Sequence, residues 1–234
     1  MMLASACLLL FMVPLLTLLR TRGTNVPAEL SQRAEGHLGK AEEDFELVSA
    51  AQAGEVAAFE KLVRKYQKRM LNIAYRMIGD YEDACETVQE TFLSAYRSIK
   101  RFRKEAAFST WLCAICLNHA KNRLKKTRNK ARHEVQPMDD LLETEESAFA
   151  RETASDCLSV IEQMERKEVQ EKVQECMNGL DDEYREVLVL RDIQGFSYEE
   201  ISAILNVPDG TVKSRLFRAR DGLKNSLKKT LGEL

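Results

Sequence analysis

The stretch from Ser197 to Arg220 leaves this chain fewer folding options than any other. Ser197 is suited to cap a helix N-terminus, and Glu200 three residues later completes a capping box. Ile201, Ile204 and Leu205 then recur at helical spacing. Asn206 to Gly210, with Pro208 and Gly210, punctuates that helix and starts another. A short capped helix, a tight turn and a second helix is helix-turn-helix grammar, in which the second helix enters the major groove of DNA.

Winding the second helix at about 100° per residue sorts its side chains. Val212, Leu216, Ala219 and Leu223 share one side and must face a core. Ser214, Phe217, Arg218 and Asp221 fall opposite, with Thr211 and Lys213 at the edges of that face. Arg215 and Arg220 flank the apolar stripe, where their stems can lie on the protein while their heads reach phosphates. From Thr211 to Lys229 seven Lys/Arg stand against one Asp. A basic run alone fits a solvated helix as well as a DNA reader; cap, turn and polar face together favour the reader.

Charge extends the argument beyond this stretch. The net charge of −2 hides segregation: from Ala95 to His133 twelve Lys/Arg meet one Glu, and from Glu134 to Glu183 sixteen Asp/Glu meet four Lys/Arg. Two basic, nucleic-acid-facing units joined by an acidic connector fit that pattern. Only four Pro, and no alternating β-branched runs, make the expected fold all-α, two small helical domains. Apolar residues recur at helical spacing through Phe59, Leu62, Tyr66, Met70, Ile73 and Met77, in a helix ending near Gly79-Asp80. Tyr81 to Tyr96 reads as another helix, Phe102 to Ser109 as a loop, and Thr110 to Lys126 as a basic helix.

Six cysteines (Cys7, Cys85, Cys113, Cys116, Cys157, Cys176) show no framework spacing. Cys113 and Cys116 with His119 fit a zinc or redox site by composition, but on a helix such cysteines serve as small hydrophobes, and a fourth ligand is missing. No nucleophile–base pairing is legible, so neither catalytic residue, metal nor cofactor is expected. Leu3 to Leu19 is mostly apolar and followed by Arg20 and Arg22. It is short for a span of about 20 residues, and reads as sequence upstream of the functional start, a membrane anchor or a targeting segment.

Gly79-Asp80, Asp83 to Phe92, and Phe108 to Leu112 running on to Asn118, Ala120, Lys121 and Asn122 resemble the second conserved region of bacterial sigma factors. The Ser197–Arg220 stretch resembles region four of the same family. With no recognisable region three between, the chain is similar to the extracytoplasmic-function group. The resemblance covers roughly residues 44–231. It departs from the family pattern at Glu86, where Asp is usual, and at Cys85, where an acidic residue is common.

That resemblance implies a promoter-specificity subunit and gives residues roles. Asp83, Glu86, Gln89 and Glu90 would meet the clamp helices of the largest subunit of core RNA polymerase. Ser98, Phe102 and Asn118 would hold a flipped base at −10, with Lys121, Arg123, Lys125 and Lys126 on the backbone. Thr211, Lys213, Ser214, Arg215, Phe217, Arg218 and Arg220 would meet promoter DNA at −35. Trp111 is expected in the core beside Phe108, Leu112 and Ile115. The implied organisation is an extension at 1–43, region two at 44–127, an acidic linker at 128–165, and region four at 166–234. An anti-sigma factor is the implied regulator, no small-molecule substrate is expected, and the implied location is cytoplasmic, at the nucleoid. A stand-alone helix-turn-helix regulator and a membrane-anchored signalling protein remain the alternatives.

Overall fold

Gly79 closes the longest early helix and starts the packing of the first unit. The computed structural model describes residues 43–133 and 160–231, and every regular element among them is helical. The apolar run 3–19 and residues 134–159 of the acidic linker lie outside those residues. Among the described residues no helix is long and apolar enough to cross a membrane.

Helix α1 (residues 43–52) ends at Gly54, whose φ of +105° suits glycine. Helix α2 (Val56–Ile78) buries Phe59, Leu62, Tyr66, Met70, Ile73, Ala74 and Met77, the stripe expected from spacing. It stops at Gly79 with φ +89°, the left-handed cap that terminates helices at little cost only with glycine. Helix α3 (Tyr81–Ser98) starts on Asp80, whose carboxylate accepts the Asp83 N–H at 2.8 Å. Its last turn tightens into a 3-10 segment, Ile99–Arg101. Helix α4 (Phe108–His133) runs well past the expected end at Lys126. Helices α2, α3 and α4 pack on one another around Met70, Leu112, Cys116 and Ala120, all with essentially no exposure.

The second unit begins with α5 (Val160–Asn178) and α6 (Asp182–Leu188). Helix α6 runs into a π-helical turn, Val189–Ile193, closed by the Gln194 N–H on the Val189 carbonyl at 3.0 Å. Helix α7 (Tyr198–Leu205) and helix α8 (Asp209–Leu231) complete it. Its core takes Val187, Leu188 and Leu190; Ile193, whose apolar side chain would place it in the same core by sequence, is exposed at the end of the π-turn.

The two units are packed together, which the sequence did not announce. Arg185 of α6 is 2% exposed and donates to the carbonyls of Met77, Asn178 and Leu180. Gln174 of α5 donates to the carbonyls of Tyr75 and Arg76 in α2 and accepts from Arg76. Arg69 lies over the Phe196 ring at 4.4 Å and donates to Gln194 at 3.2 Å. Gly79 permits the approach sterically as well, since a Cβ there would stand 2.3 Å from the Asn178 side chain.

Candidate nucleic-acid interface

The capping box read from sequence is present in full: Ser197 Oγ accepts the Glu200 N–H at 3.1 Å, and Glu200 Oε2 accepts the Ser197 N–H at 2.7 Å. Asn206 adopts the left-handed conformation with φ 53°, ending α7, and Ser202 Oγ holds the Val207 carbonyl at 2.6 Å. The chain then turns through Pro208, whose carbonyl accepts the Thr211 and Val212 N–H groups. Ser197→Ala is expected to cost about 1 kcal/mol, read as a lower urea midpoint without loss of helical signal in the remaining helices.

Helix α8 has two faces, as its period requires. Val212, Leu216, Ala219, Leu223 and Leu227 are buried against α6 and α7. Lys213, Ser214, Phe217 and Arg218 stand open, and Phe217 is 75% exposed. Thr211 is half-buried, its carbonyl accepting Ser214 Oγ at 3.0 Å. Exposure on this scale for a phenylalanine, rimmed by cations, is the composition of a contact face.

The flanking arginines behave differently from the open face. Arg220 forks onto Asp192 of the π-turn, with nitrogen–oxygen distances of 3.0 and 2.6 Å. Arg215 pairs with Glu183 at 2.7 Å and lies 3.6 Å from Glu186, both on α6. Both guanidinium groups therefore have carboxylate partners within the fold, where sequence reasoning had only phosphates in view. Burial pushes the Glu186 carboxyl above the ordinary carboxylate range, while Lys121 and Arg215 pull it back.

In the first unit, Phe102 stacks on Trp111 with centroids 4.8 Å apart and meets the edge of Phe108 at 6.0 Å. Trp111 is half-buried in this aromatic group, close to the expected core position. The Phe102 loop is pinned from α1: Gln52 Nε2 donates to the carbonyls of Ile99 and Phe102 at 2.9 and 2.8 Å. Lys104, at φ 60°, reaches Ser49 Oγ and the Phe45 ring. Nothing in the sequence pointed to Gln52, which is 47 and 50 residues from its partners. Ser98 Oγ donates to the Ser94 carbonyl, and Asn118 is exposed on α4.

An open groove between α3 and α4 collects Arg123, Lys125 and Lys126 with Glu90, Ser94, Arg97, His119 and Asn122. It does not include Ser98, Phe102 or Asn118. Arg123 bridges Asp83 and Glu86, the latter at 2.6 Å, so one expected backbone cation joins two expected polymerase contacts. Gln89 is exposed. Lys121 leaves the groove and pairs with Glu186 of the second unit at 2.5 Å.

Helices α3 and α4 also share a side-chain relay. Ser94 Oγ lies 2.9 Å from His119 Nε2, and His119 Nδ1 lies 3.2 Å from Glu90 Oε2, a nucleophile–base–acid chain invisible in the sequence. It lacks the rest of a catalytic centre: Ser94 lies inside α3, whose backbone N–H groups are spent on the helix and offer no oxyanion site. Both ring nitrogens of His119 are engaged by Ser94 and Glu90. Cys113 and Cys116 are fully buried in the first core, and burial pushes both thiols up to about 12, so they act as small apolar fillers.

The geometry has close counterparts. Residues 62–130 match the family described as Sigma-70 region 2, and residues 170–222 match Sigma-70, region 4. The chain is 37% identical over 193 residues to the RNA polymerase sigma-H factor of Pseudomonas aeruginosa, covering 82% of this chain and 97% of that protein. It is 35% identical over 184 residues to the ECF RNA polymerase sigma-E factor of Haemophilus influenzae, covering 79% and 95%. Among solved structures, the sigma factor RpoE in complex with the anti-sigma factor NepR from Bartonella quintana aligns with a TM-score of 0.56 at 22% identity, covering 74% of this chain and 98% of that one. CnrH in complex with the cytosolic domain of CnrY aligns with a TM-score of 0.57 at 25% identity, covering 80% and 98%.

Proposed function

This chain belongs to the extracytoplasmic-function group of the sigma-70 family, and from that premise we propose that it is a promoter-specificity subunit that binds core RNA polymerase and directs initiation at −35 and −10 elements. The observation that carries the reading is the division of α8, with Lys213, Ser214, Phe217 and Arg218 open to a partner and the opposite stripe locked in the core. In the major groove Arg218 is placed to donate to a base edge, and Phe217 to cover a thymine methyl.

The first unit supplies the downstream half of the grip. Ser98, Phe102 and Asn118 take the unpaired −10 base, Phe102 being held against Trp111 as an apolar wall. Lys125 and Lys126 hold the strand, with Lys121 and Arg123 joining once released from their carboxylates. Asp83, Glu86, Gln89 and Glu90 form the polymerase-facing side of α3. In this reading the first unit is region two and the second is region four. The protein works by binding rather than by bond chemistry, in the cytoplasm beside the chromosome. Its regulator is an anti-sigma factor, the kind of partner that the sigma factor RpoE from Bartonella quintana carries in its solved structure.

Arg218→Ala is expected to weaken recognition of a −35 sequence by about 1–3 kcal/mol, roughly 5- to 150-fold. Run-off transcription by core enzyme plus the full chain measures it. Loss confined to promoters with an intact −35 element supports the reading, and unchanged transcript yield from such promoters refutes the assignment of the face.

A further inference from the structure

Helix α6 presents three carboxylates to cations that the proposed function assigns to DNA or that share their helix. Asp182 takes Arg128 of α4 in a fork, at 2.6 and 2.8 Å. Glu183 takes Arg215 of the recognition helix at 2.7 Å. Glu186, its side chain 5% exposed, lies between the units and is shared by Lys121 of α4 at 2.5 Å and Arg215 of α8 at 3.6 Å. One short acidic helix thus neutralises basic side chains from both units. We infer that α6 serves as an internal surrogate for promoter phosphates, its Asp182, Glu183 and Glu186 competing with DNA for Arg128, Arg215 and Lys121 in the free protein. The inference rests on the reading of Lys121 and Arg215 as backbone-contacting cations.

Size makes the competition necessary rather than incidental. Roughly 160 packed residues form a body of gyration radius about 15 Å, so about 40 Å across. Elements centred at −35 and −10 are about 25 base pairs apart, which at about 3.4 Å per pair is roughly 85 Å of duplex. A body held together by Arg185 and the α6 pairs cannot put α8 on one element and the Phe102 loop on the other. Engagement of both therefore separates the units, and that separation breaks the Lys121–Glu186 and Arg128–Asp182 pairs, which cross between them. Arg215 pairs within its own unit, so DNA must compete for it directly. The open face of α8 is untouched by the docking: what α6 controls is backbone affinity and the spacing of the two faces.

The test uses the full chain, first without polymerase, and the variant Asp182→Asn/Glu186→Gln, which keeps side-chain shape while removing charge. Binding to a duplex promoter fragment is measured across salt concentrations, with fluorescent labels at exposed Glu60 and Asn225 reporting inter-unit distance. The wild type is expected to show high energy transfer that falls when core polymerase and promoter are added. The variant is expected to show lower transfer, about tenfold tighter binding, and a plot of log affinity against log salt steeper by about 2, one unit for each cation freed to meet a phosphate. Low transfer in the free wild type, or a variant whose salt slope matches the wild type, overturns the proposal. Adding Lys121→Ala and Arg128→Ala to the variant must return the slope to the wild-type value. If it stays steep, the assignment of those two cations to DNA fails instead. Should the double variant not fold, Asp182→Asn alone, at the exposed edge, is expected to steepen the slope by about 1 through Arg128, and an unchanged slope again overturns the proposal.

Discussion

Arg220→Ala is expected to destabilise the second unit by about 3–5 kcal/mol, because it strands the Asp192 carboxylate without its cation. The Asp192 side chain is 1% exposed, and the Arg220 fork supplies two charge-assisted hydrogen bonds to it. Removing the whole pair is a different experiment. Asp192→Asn with Arg220→Met leaves no buried charge, and its cost should be far smaller than that of the single change. Urea unfolding of the three proteins measures the difference. If Arg220→Ala is as stable as the wild type, Arg220 is free for phosphate contact, and the fork does not hold the π-turn against α8. The result also guards against misreading: DNA binding lost with Arg220 must be corrected for the folded fraction before it is assigned to a contact.

Arg185→Ala is expected to cost at least about 3 kcal/mol and to uncouple the two units. The guanidinium closes the C-terminal ends of α2 and α5 together, through the carbonyls of Met77, Asn178 and Leu180. Burial holds its pKa below the ordinary arginine value without discharging it, since even a lowered guanidinium stays protonated at neutral pH. Without it, carbonyls in a dry interior lose their donors at about 1–3 kcal/mol each. Arg185→Lys should recover only part of this, because an ammonium cannot fork across three acceptors. The single tryptophan, Trp111, lies in the first unit and provides the readout. In the wild type its fluorescence and the far-ultraviolet helical signal should unfold together; in Arg185→Ala they should separate. Coincident transitions in the variant would mean that the units are not coupled through this side chain.

These two arginines show where reading along the chain stops. Arg220 was correctly set beside the apolar stripe of α8, yet its partner is a carboxylate 28 residues upstream that faces it only because a π-turn follows α6. Arg185 carries no sequence signal of its burial, yet it is among the most buried side chains of the described residues. Phe102 was placed in a loop, but its stacking on Trp111 and its anchoring by Gln52 depend on α1 crossing that loop. The Ser94–His119–Glu90 chain likewise needs α3 and α4 side by side.

The sequence by itself determined what is local and periodic: the capping box at Ser197, the stop at Gly79, the core stripes of α2 and α8, and the open face of Lys213, Ser214, Phe217 and Arg218. Each follows from a repeat of 3.6 residues or from one residue's backbone preference, and needs no knowledge of a neighbour. Tertiary structure alone decided which acid meets which base. Helical period tells where a side chain points around its own axis, but not which helix lies across from it. Lys121, Arg123, Arg215 and Arg220 all read as cations for DNA. Packing found carboxylates for each of them, and left the centre of α8 open.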